Sequence, residues 1–285
     1  MKVCRNELTT SFFCQFLLGF ITCCKPSVFS YKFTHFFQEF YSLYSTSLIR
    51  QRRIIRLDGT NSLIRRFASF IAESVYCSSI DILSSLLIML YVRDKKFCLK
   101  VRLDGLIMLF RKKLLLLAKD RKMISVLQLC CCCIRSVQNA RMFGRSQEFV
   151  KNLITSIISG TDAIIVARLV EILYIIIKFK NRLIMTVLES NDIFAMLTKT
   201  FQKYFQQRFI TSEQTTLEIC LFTVASLRNL MRLKRNRERL LAIGAMETFG
   251  SAISLISKDN KCLDDNSQLG RSIINLKRLI DRYDK

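Results

Sequence analysis

Histidine is the scarcest residue type with catalytic potential in this 285-residue chain. The single histidine, His35, lies among three aromatic residues, Phe33, Phe36 and Phe37. A zinc peptidase needs at least two histidines and a carboxylate to hold its metal, and a serine or cysteine nucleophile usually needs a histidine as its base. One histidine supplies neither arrangement. We therefore interpret His35 as a structural residue and predict no catalytic residue in this chain.

Cysteine is abundant, with 12 residues, but its placement does not indicate a reactive site. The run Cys130–Cys133 is consecutive, so on a helix its thiols point in different directions and cannot close on one metal or pair as disulfides. Cys23 and Cys24 also lack the intervening residues of zinc ligands. We predict reduced cysteines that fill an apolar core in a cytoplasmic protein. We expect no metal or other cofactor in this chain, which also lacks the glycine-rich phosphate loops.

Basic side chains are the remaining candidates for function, since 45 lysines and arginines against 22 acidic residues give a net charge of +23. One interpretation is a groove for an acidic peptide or another polyanion, and the alternative is a solvated face that keeps an apolar protein soluble. The size of the excess favours an acidic partner. The clusters are Arg50, Arg52, Arg53 and Arg56; Arg65 and Arg66; Arg111, Lys112 and Lys113; Lys119, Arg121 and Lys122; and Arg232, Lys234, Arg235, Arg237 and Arg239.

The elements that position these residues are predicted to be helices. Pro26 is the only proline, and proline is the commonest interruption of helices. The longest uncharged stretch, Leu8–Cys24, has 17 residues. That is short of the roughly 18 to 20 apolar residues of a spanning helix, and no small-x-small cleavage site follows it. We therefore expect no membrane partner, with a membrane-anchored solenoid through Leu8–Cys24 as an alternative.

The chain repeats one pattern five times: a polar or basic helix end, a short turn and an apolar amphipathic helix. The predicted turns are at Gly59, Gly105, Gln147, Asn191 and Gly244, at separations of 46, 42, 44 and 53 residues. These separations are close to the roughly 40 to 47 residues of HEAT and armadillo repeats. Helices that are apolar on nearly all sides must be packed between neighbours, so the repeats must stack. We predict an all-α, armadillo/HEAT-like, right-handed α-solenoid of about five repeats.

Turn chemistry supports most of this register. A steep helix–helix turn needs a left-handed residue, which glycine supplies without steric cost and asparagine tolerates next best. Gln147 fits poorly, so we expect the third turn to be distorted or shifted onto Gly144. We predict a divergent hydrophobic extension over residues 1–50, the solenoid over 51–257 and a C-terminal linker or helix over 258–285.

One block of the repeat resembles a known family. The sequence DKKFCLKVRLDG, residues 94–105, resembles the armadillo-like N-terminal region of cytosolic carboxypeptidases, the enzymes that remove glutamates from tubulin. The likeness continues through VLQLCCCCIRSVQNARMFGRSQEFVKNLI and weakly into NRERLLAIGAMETF, so that it covers about residues 51–256. The family's zinc chemistry lies in a later domain, so the resemblance implies no catalytic residue here.

What the resemblance implies is a noncatalytic scaffold or interaction module of such a carboxypeptidase. Its expected partner is an acidic protein segment such as a tubulin C-terminal tail. The alternative is an independent α-solenoid adaptor for an acidic segment or another polyanion. Nucleic acid is not expected, because the chain has no recognisable nucleic-acid-binding motif. In armadillo solenoids the helix after each turn tends to line the inner surface. By this analogy we expect the binding residues to be Arg65, Arg66, Arg111, Lys112 and Lys113.

Overall fold

The computed structural model describes residues 44–73, 78–179, 182–211, 213–231, 234–258 and 263–281, together with Gly19, Gln38, Tyr41 and Ser42. His35 and most of Leu8–Cys24 therefore lie outside the described residues. The described part of the chain contains helices and no strand. The helices are α1 Leu48–Arg56, α2 Gly59–Glu73, α3 Ser78–Arg93, α4 Phe97–Leu103, α5 Leu106–Leu117, α6 Ile124–Ile134, α7 Val137–Gly144, α8 Gln147–Ser159, α9 Ala163–Lys178, α10 Arg182–Ser190, α11 Ile193–Thr211, α12 Gln214–Leu230, α13 Lys234–Ala242, α14 Ala245–Lys258 and α15 Leu263–Asp281.

The helices follow one another in groups of three. Each group begins with a short helix of 7 to 9 residues, namely α1, α4, α7, α10 and α13. Two longer helices follow, which we call the second and third helices of the repeat. This grouping confirms the predicted all-α solenoid. Each predicted turn residue lies between the first and second helices of a repeat or is the first residue of the second helix.

The helices form two compact units, Met1–Phe143 and Gly144–Lys285. In the first unit, α2 packs on α5 and α3 packs on α6, so second helices contact second helices and third helices contact third helices. The rings of Phe67 and Phe110, whose centroids are 6.0 Å apart, join α2 and α5 in the core. The predicted boundaries after residues 50 and 257 stay predictions.

In the second unit the third helices make the most extensive contacts. Helix α12 packs between α9 and α15, and α11 packs along α12. The second helices α11 and α14 meet at Phe201 and Phe249, whose ring centroids lie 5.1 Å apart. Helix α9 is buried on nearly all sides, as expected of a helix that lies between neighbours.

Two of the three predicted glycine turns are confirmed, and the remaining glycine turn and the asparagine turn are each displaced by one residue. Gly105 and Gly244 have left-handed backbones, with φ of 74° and 68°. In the first repeat the left-handed residue is Asp58, with φ of 55°, whereas the predicted Gly59 begins α2. In the fourth repeat it is Asp192, with φ of 45°, and not Asn191. Aspartate is among the non-glycine residues that tolerate this region best.

The predicted shift of the third turn onto Gly144 is wrong. Gly144 is the last residue of α7, and Ser146 caps α8 by accepting a hydrogen bond from the Phe149 backbone N–H at 3.2 Å. A Cβ atom at Gly144 would lie 2.8 Å from the Cδ1 atom of Ile184. This glycine is therefore needed for close packing, and the turn is made by the serine cap.

A buried side-chain amide recurs at the junction between repeats. The Nδ2 atom of Asn139 donates to the carbonyl of Cys133 at 2.8 Å, and that of Asn236 donates to the carbonyl of Leu230 at 2.7 Å. Both asparagines are the third residue of a first helix and bond six residues back. Gln51 donates similarly to the carbonyl of Tyr44 at 2.9 Å. Each amide satisfies a carbonyl that a helix end would otherwise leave without a partner.

Candidate interaction surfaces

The DKKF block that carries the family resemblance forms a helix junction. Asp94 is 6% exposed, and its Oδ1 atom accepts a hydrogen bond from the Lys96 backbone N–H at 2.9 Å. Its Oδ2 atom accepts from Nζ of Lys100 at 3.0 Å. Phe97 is buried, and its ring packs edge-on against the ring of Tyr91, with the ring centroids 5.7 Å apart. The aspartate and the phenylalanine therefore hold the start of α4 against the preceding helix.

The two candidate binding residues on α2 occupy different environments. Arg65 is 71% exposed, and its Nε atom donates to Oδ1 of Asp104 at 3.0 Å. Arg66 is 7% exposed, and its guanidinium lies 5.1 Å from the centre of the Phe70 ring. Arg65 thus reaches solvent at the turn of the next repeat, whereas Arg66 packs inside the first unit.

The three candidates on α5 also differ in exposure. Arg111 is half-buried and donates to the carbonyl of Met142 at 3.1 Å. Lys112 is exposed, and Lys113 is half-buried. Of the five predicted residues, Arg65 and Lys112 are thus the exposed ones. They lie on α2 and α5, two second helices that pack against each other. Their role in binding stays a prediction.

The exposed surface of the first unit is strongly basic. Within residues 44–143 the sequence has 19 lysines and arginines and 6 acidic residues. Asp58, Glu73 and Asp120 are the exposed acidic residues of the described part of this range. The exposed basic residues are Arg52, Arg56, Arg65, Arg93, Lys95, Lys96, Lys112, Lys119, Arg121, Lys122, Arg135 and Arg141.

In the second unit, α9 and α12 share a polar contact that links two repeats. Arg168 of α9 donates to Glu171 at 2.5 Å and to Glu218 of α12. Glu171 is 2% exposed, so its charge is balanced inside the protein by this guanidinium. The three residues fix the register of the two third helices.

A half-exposed aromatic pair lies on the same two helices. The rings of Tyr174 and Phe222 are both half-buried, and their centroids lie 5.6 Å apart. Lys178 and Arg228, at the ends of α9 and α12, are exposed. Aromatic side chains and arginine are enriched at protein interfaces. We call Tyr174, Phe222, Lys178 and Arg228 the third-helix surface.

Five of the six cysteines in the described part of the chain are buried and Cys98 is half-buried, which fits their predicted role as core residues. Cys130, Cys131, Cys133 and Cys220 are each 1% exposed or less. Burial raises the pKa of Cys220 to about 12 and raises the pKa of Cys133 well above its usual value. A thiol in this state is protonated at neutral pH and is a poor nucleophile.

Metal centres and membrane-spanning helices are two further kinds of site that the described part of the chain could contain. No group of three or more histidine, cysteine or acidic side chains there is arranged to hold a metal ion. No single described helix is both long and apolar enough to cross a membrane. Two sharply bent helix pairs are together long and apolar enough, by length and composition alone. They are Arg121–Ile134 with Val137–Gly144 and Asn236–Ala242 with Ala245–Ile256.

The fold has similar solved structures. One is a crystal structure of an engineered protein, with a TM-score of 0.62, 12% sequence identity and coverage of 91% of this chain and 97% of that chain. Another is a designed armadillo repeat protein, with a TM-score of 0.58, 10% identity and coverage of 88% and 95%. The chain is an armadillo-like α-solenoid. No protein-family model matches the sequence, and no curated protein does.

At this level of sequence identity the comparisons show the fold alone. The third-helix surface is not predicted from the sequence, because its residues come from two repeats: Tyr174 lies on α9 and Phe222 on α12. The spacing of Tyr174 and Lys178, one turn apart on α9, is the signal that the sequence offers.

Proposed function

We propose that this chain is a noncatalytic interaction module that binds an acidic protein segment through the basic surface of the first unit. The observation that carries the proposal is the imbalance of exposed charge in the described part of that unit, where twelve basic residues face solvent with three acidic ones. Such an imbalance attracts an acidic chain and accelerates its association.

The exposed pair Arg52 and Arg56 offers the most direct test. The two residues lie one turn apart on α1, so reversing both charges changes one face of one helix. We expect the double substitution Arg52→Glu, Arg56→Glu to weaken binding of a fluorescein-labelled polyglutamate peptide by about tenfold in fluorescence anisotropy. The matched control is Arg145→Glu, Lys151→Glu, the same charge change at exposed positions of the second unit.

Salt provides the second part of the same experiment. Added salt shortens the range of electrostatic attraction from about 10 Å at 0.1 M to about 3 Å at 1 M. Peptide binding should therefore weaken steeply as salt is added. Binding that is indifferent to salt, or an equal loss in both double variants, contradicts the proposal. An RNA oligomer that displaces the peptide at lower concentration than unlabelled polyglutamate would favour a nucleic-acid partner instead.

We further propose, from the resemblance of residues 51–256, that the acidic segment is a tubulin C-terminal tail and that the chain serves a cytosolic carboxypeptidase. The alternative is an independent adaptor with another acidic partner. Co-sedimentation with microtubules at low salt, reversed by salt and by removal of the tubulin tails, supports the first assignment. An in-frame His-x-x-Glu zinc motif beyond Lys285 in the transcript would connect the solenoid to an enzyme domain.

A further inference from the structure

A cavity of about 300 Å³ opens on the second unit between the end of α8 and one face of α11. Its walls are mainly apolar and include Ile157, Ile158, Ala195 and Met196. Ile158 is 61% exposed, which is high for a large apolar side chain. The volume is at the lower end of the roughly 300 to 1,000 Å³ of ligand sites, which suits one large side chain and the adjoining backbone.

Tyr204 gives this cavity a polar group without a partner. The residue lines the cavity and is 1% exposed, and its hydroxyl makes no hydrogen bond within the described protein. Burial, and after it the charge of Asp162, raises the pKa of this phenol. The hydroxyl is therefore protonated at neutral pH, and because its oxygen is buried it reaches a ligand only when a neighbouring side chain moves aside. A buried hydroxyl without a partner is costly, so a ligand that accepts from it gains affinity.

The edge of the cavity carries charge of both signs, with lysine in excess. Lys199 and Lys203 are exposed and line the cavity, as does the exposed Asp192. The Nζ atom of Lys203 lies 5.0 Å from the centre of the Tyr204 ring and donates to the carbonyl of Gly160 at 3.2 Å. The edge thus favours a ligand whose apolar part is flanked by carboxylates.

From these three features we infer that the cavity is an anchor site for a large apolar side chain within an acidic protein segment. The apolar side chain enters between Ile158 and Met196, and a backbone carbonyl of the segment accepts from the Tyr204 hydroxyl. Carboxylates on either side contact Lys199 and Lys203. The inference rests on the proposed acidic partner and adds to it a requirement for an apolar residue.

The test compares two labelled peptides on the whole chain, one of glutamates only and one with a single leucine among the same glutamates. Burial of the leucine should make the second peptide bind about tenfold more tightly in fluorescence anisotropy. Ala195→Phe, which fills the cavity from a half-exposed position, should abolish this preference and leave binding of the glutamate-only peptide unchanged. Gln202→Phe is the matched control, since it adds the same side chain at an exposed position of α11 outside the cavity.

A second variant tests the hydroxyl. Tyr204→Phe removes one oxygen atom that has no partner in the described protein, so it should fold normally. It should weaken binding of the leucine peptide by about three- to tenfold, which is the usual contribution of one hydrogen bond. It should leave the glutamate-only peptide unaffected.

The outcomes separate the two proposals. Equal affinity for the two peptides, or a leucine preference that survives Ala195→Phe, overturns the anchor site and leaves the basic interaction module intact. Failure of the glutamate-only peptide to bind at low salt overturns the proposed function, and failure of both peptides overturns the anchor site too. Tight binding of decanoate without any preference between the peptides would assign the cavity to a lipid-like anion and also overturn the inference.

Discussion

Asp94→Ala should measurably destabilise the first unit, because this carboxylate is nearly buried and has two partners. The hydrogen bond to the Lys96 N–H closes the turn before α4, and its loss costs about 1 kcal/mol. The substitution also removes the ion pair with Lys100, whose side chain is 15% exposed. The Nζ atom of Lys100 then keeps its ion pair with Oδ1 of Asp58, which is longer at 3.4 Å, so the lost ion pair costs about 1 to 2 kcal/mol. The expected decrease in the free energy of unfolding is therefore about 2 to 3 kcal/mol.

Urea titration of the whole chain, followed by circular dichroism, measures this change. Asp94→Asn keeps an oxygen acceptor for the Lys96 N–H but loses the charge opposite Lys100, so it should fall between the wild type and Asp94→Ala. Lys95→Ala alters an exposed side chain of the same block and should change stability by less than about 0.5 kcal/mol. If Asp94→Ala is as stable as Lys95→Ala, the role of Asp94 at this junction is refuted.

Two further predictions concern the turns and the buried thiols. Gly105→Ala should lower the free energy of unfolding by about 1 kcal/mol in urea titration. The backbone φ of 74° strains an alanine, whereas its Cβ atom would meet nothing within 4 Å, so backbone strain is the only cost. Gly250→Ala, inside α14, should instead stabilise by about 0.5 to 1 kcal/mol, and equal effects would contradict this reasoning. Because the pKa of Cys220 is raised from 9.0 to about 12, its contribution to stability is complete below pH 9 and is lost as the pH rises toward 12. Cys220→Ala should therefore show a shallower loss of stability over this range, and an identical pH slope in variant and wild type would disprove it.

The fold was predictable because its main determinants are local and repeated. The left-handed glycines Gly105 and Gly244 are visible in the sequence, since few other residues adopt that backbone without strain. Asp58 and Asp192 were missed because aspartate also occurs in ordinary helix caps and exposed faces. The residue type alone therefore does not reveal its conformation.

The recurring junction amides were available in the sequence but were not recognised. Asn139 and Asn236 occupy the same position in CIRSVQN and LMRLKRN, six residues after the carbonyl that each one bonds. An alignment of the repeats on their turns would have placed the two asparagines together. This spacing, repeated in two parts of the chain, indicates a buried hydrogen bond and not an exposed polar face.

The binding surfaces were harder to predict because exposure depends on neighbouring repeats. Arg66 belongs to a basic pair in the sequence, yet it is covered by the packing of α2 and lies over Phe70. The cavity beside Tyr204 requires α8 and α11 to come together, and no spacing within either helix indicates it. Residue type identifies candidates for binding, but tertiary packing decides which of them reach solvent.

The junction at Asp94 also limits what the family resemblance can mean. Asp94 and Phe97 are buried and hold α4 in place, so any armadillo-like repeat with this junction benefits from the same two residues. Likeness at these positions is therefore evidence for a shared way of starting a helix. Lys95 and Lys96 are exposed, and the Asp94 carboxylate bonds the backbone of Lys96 and not its side chain. A shared partner would have to be recognised through exposed residues such as these, so the lysines are where binding experiments distinguish a carboxypeptidase module from an unrelated solenoid.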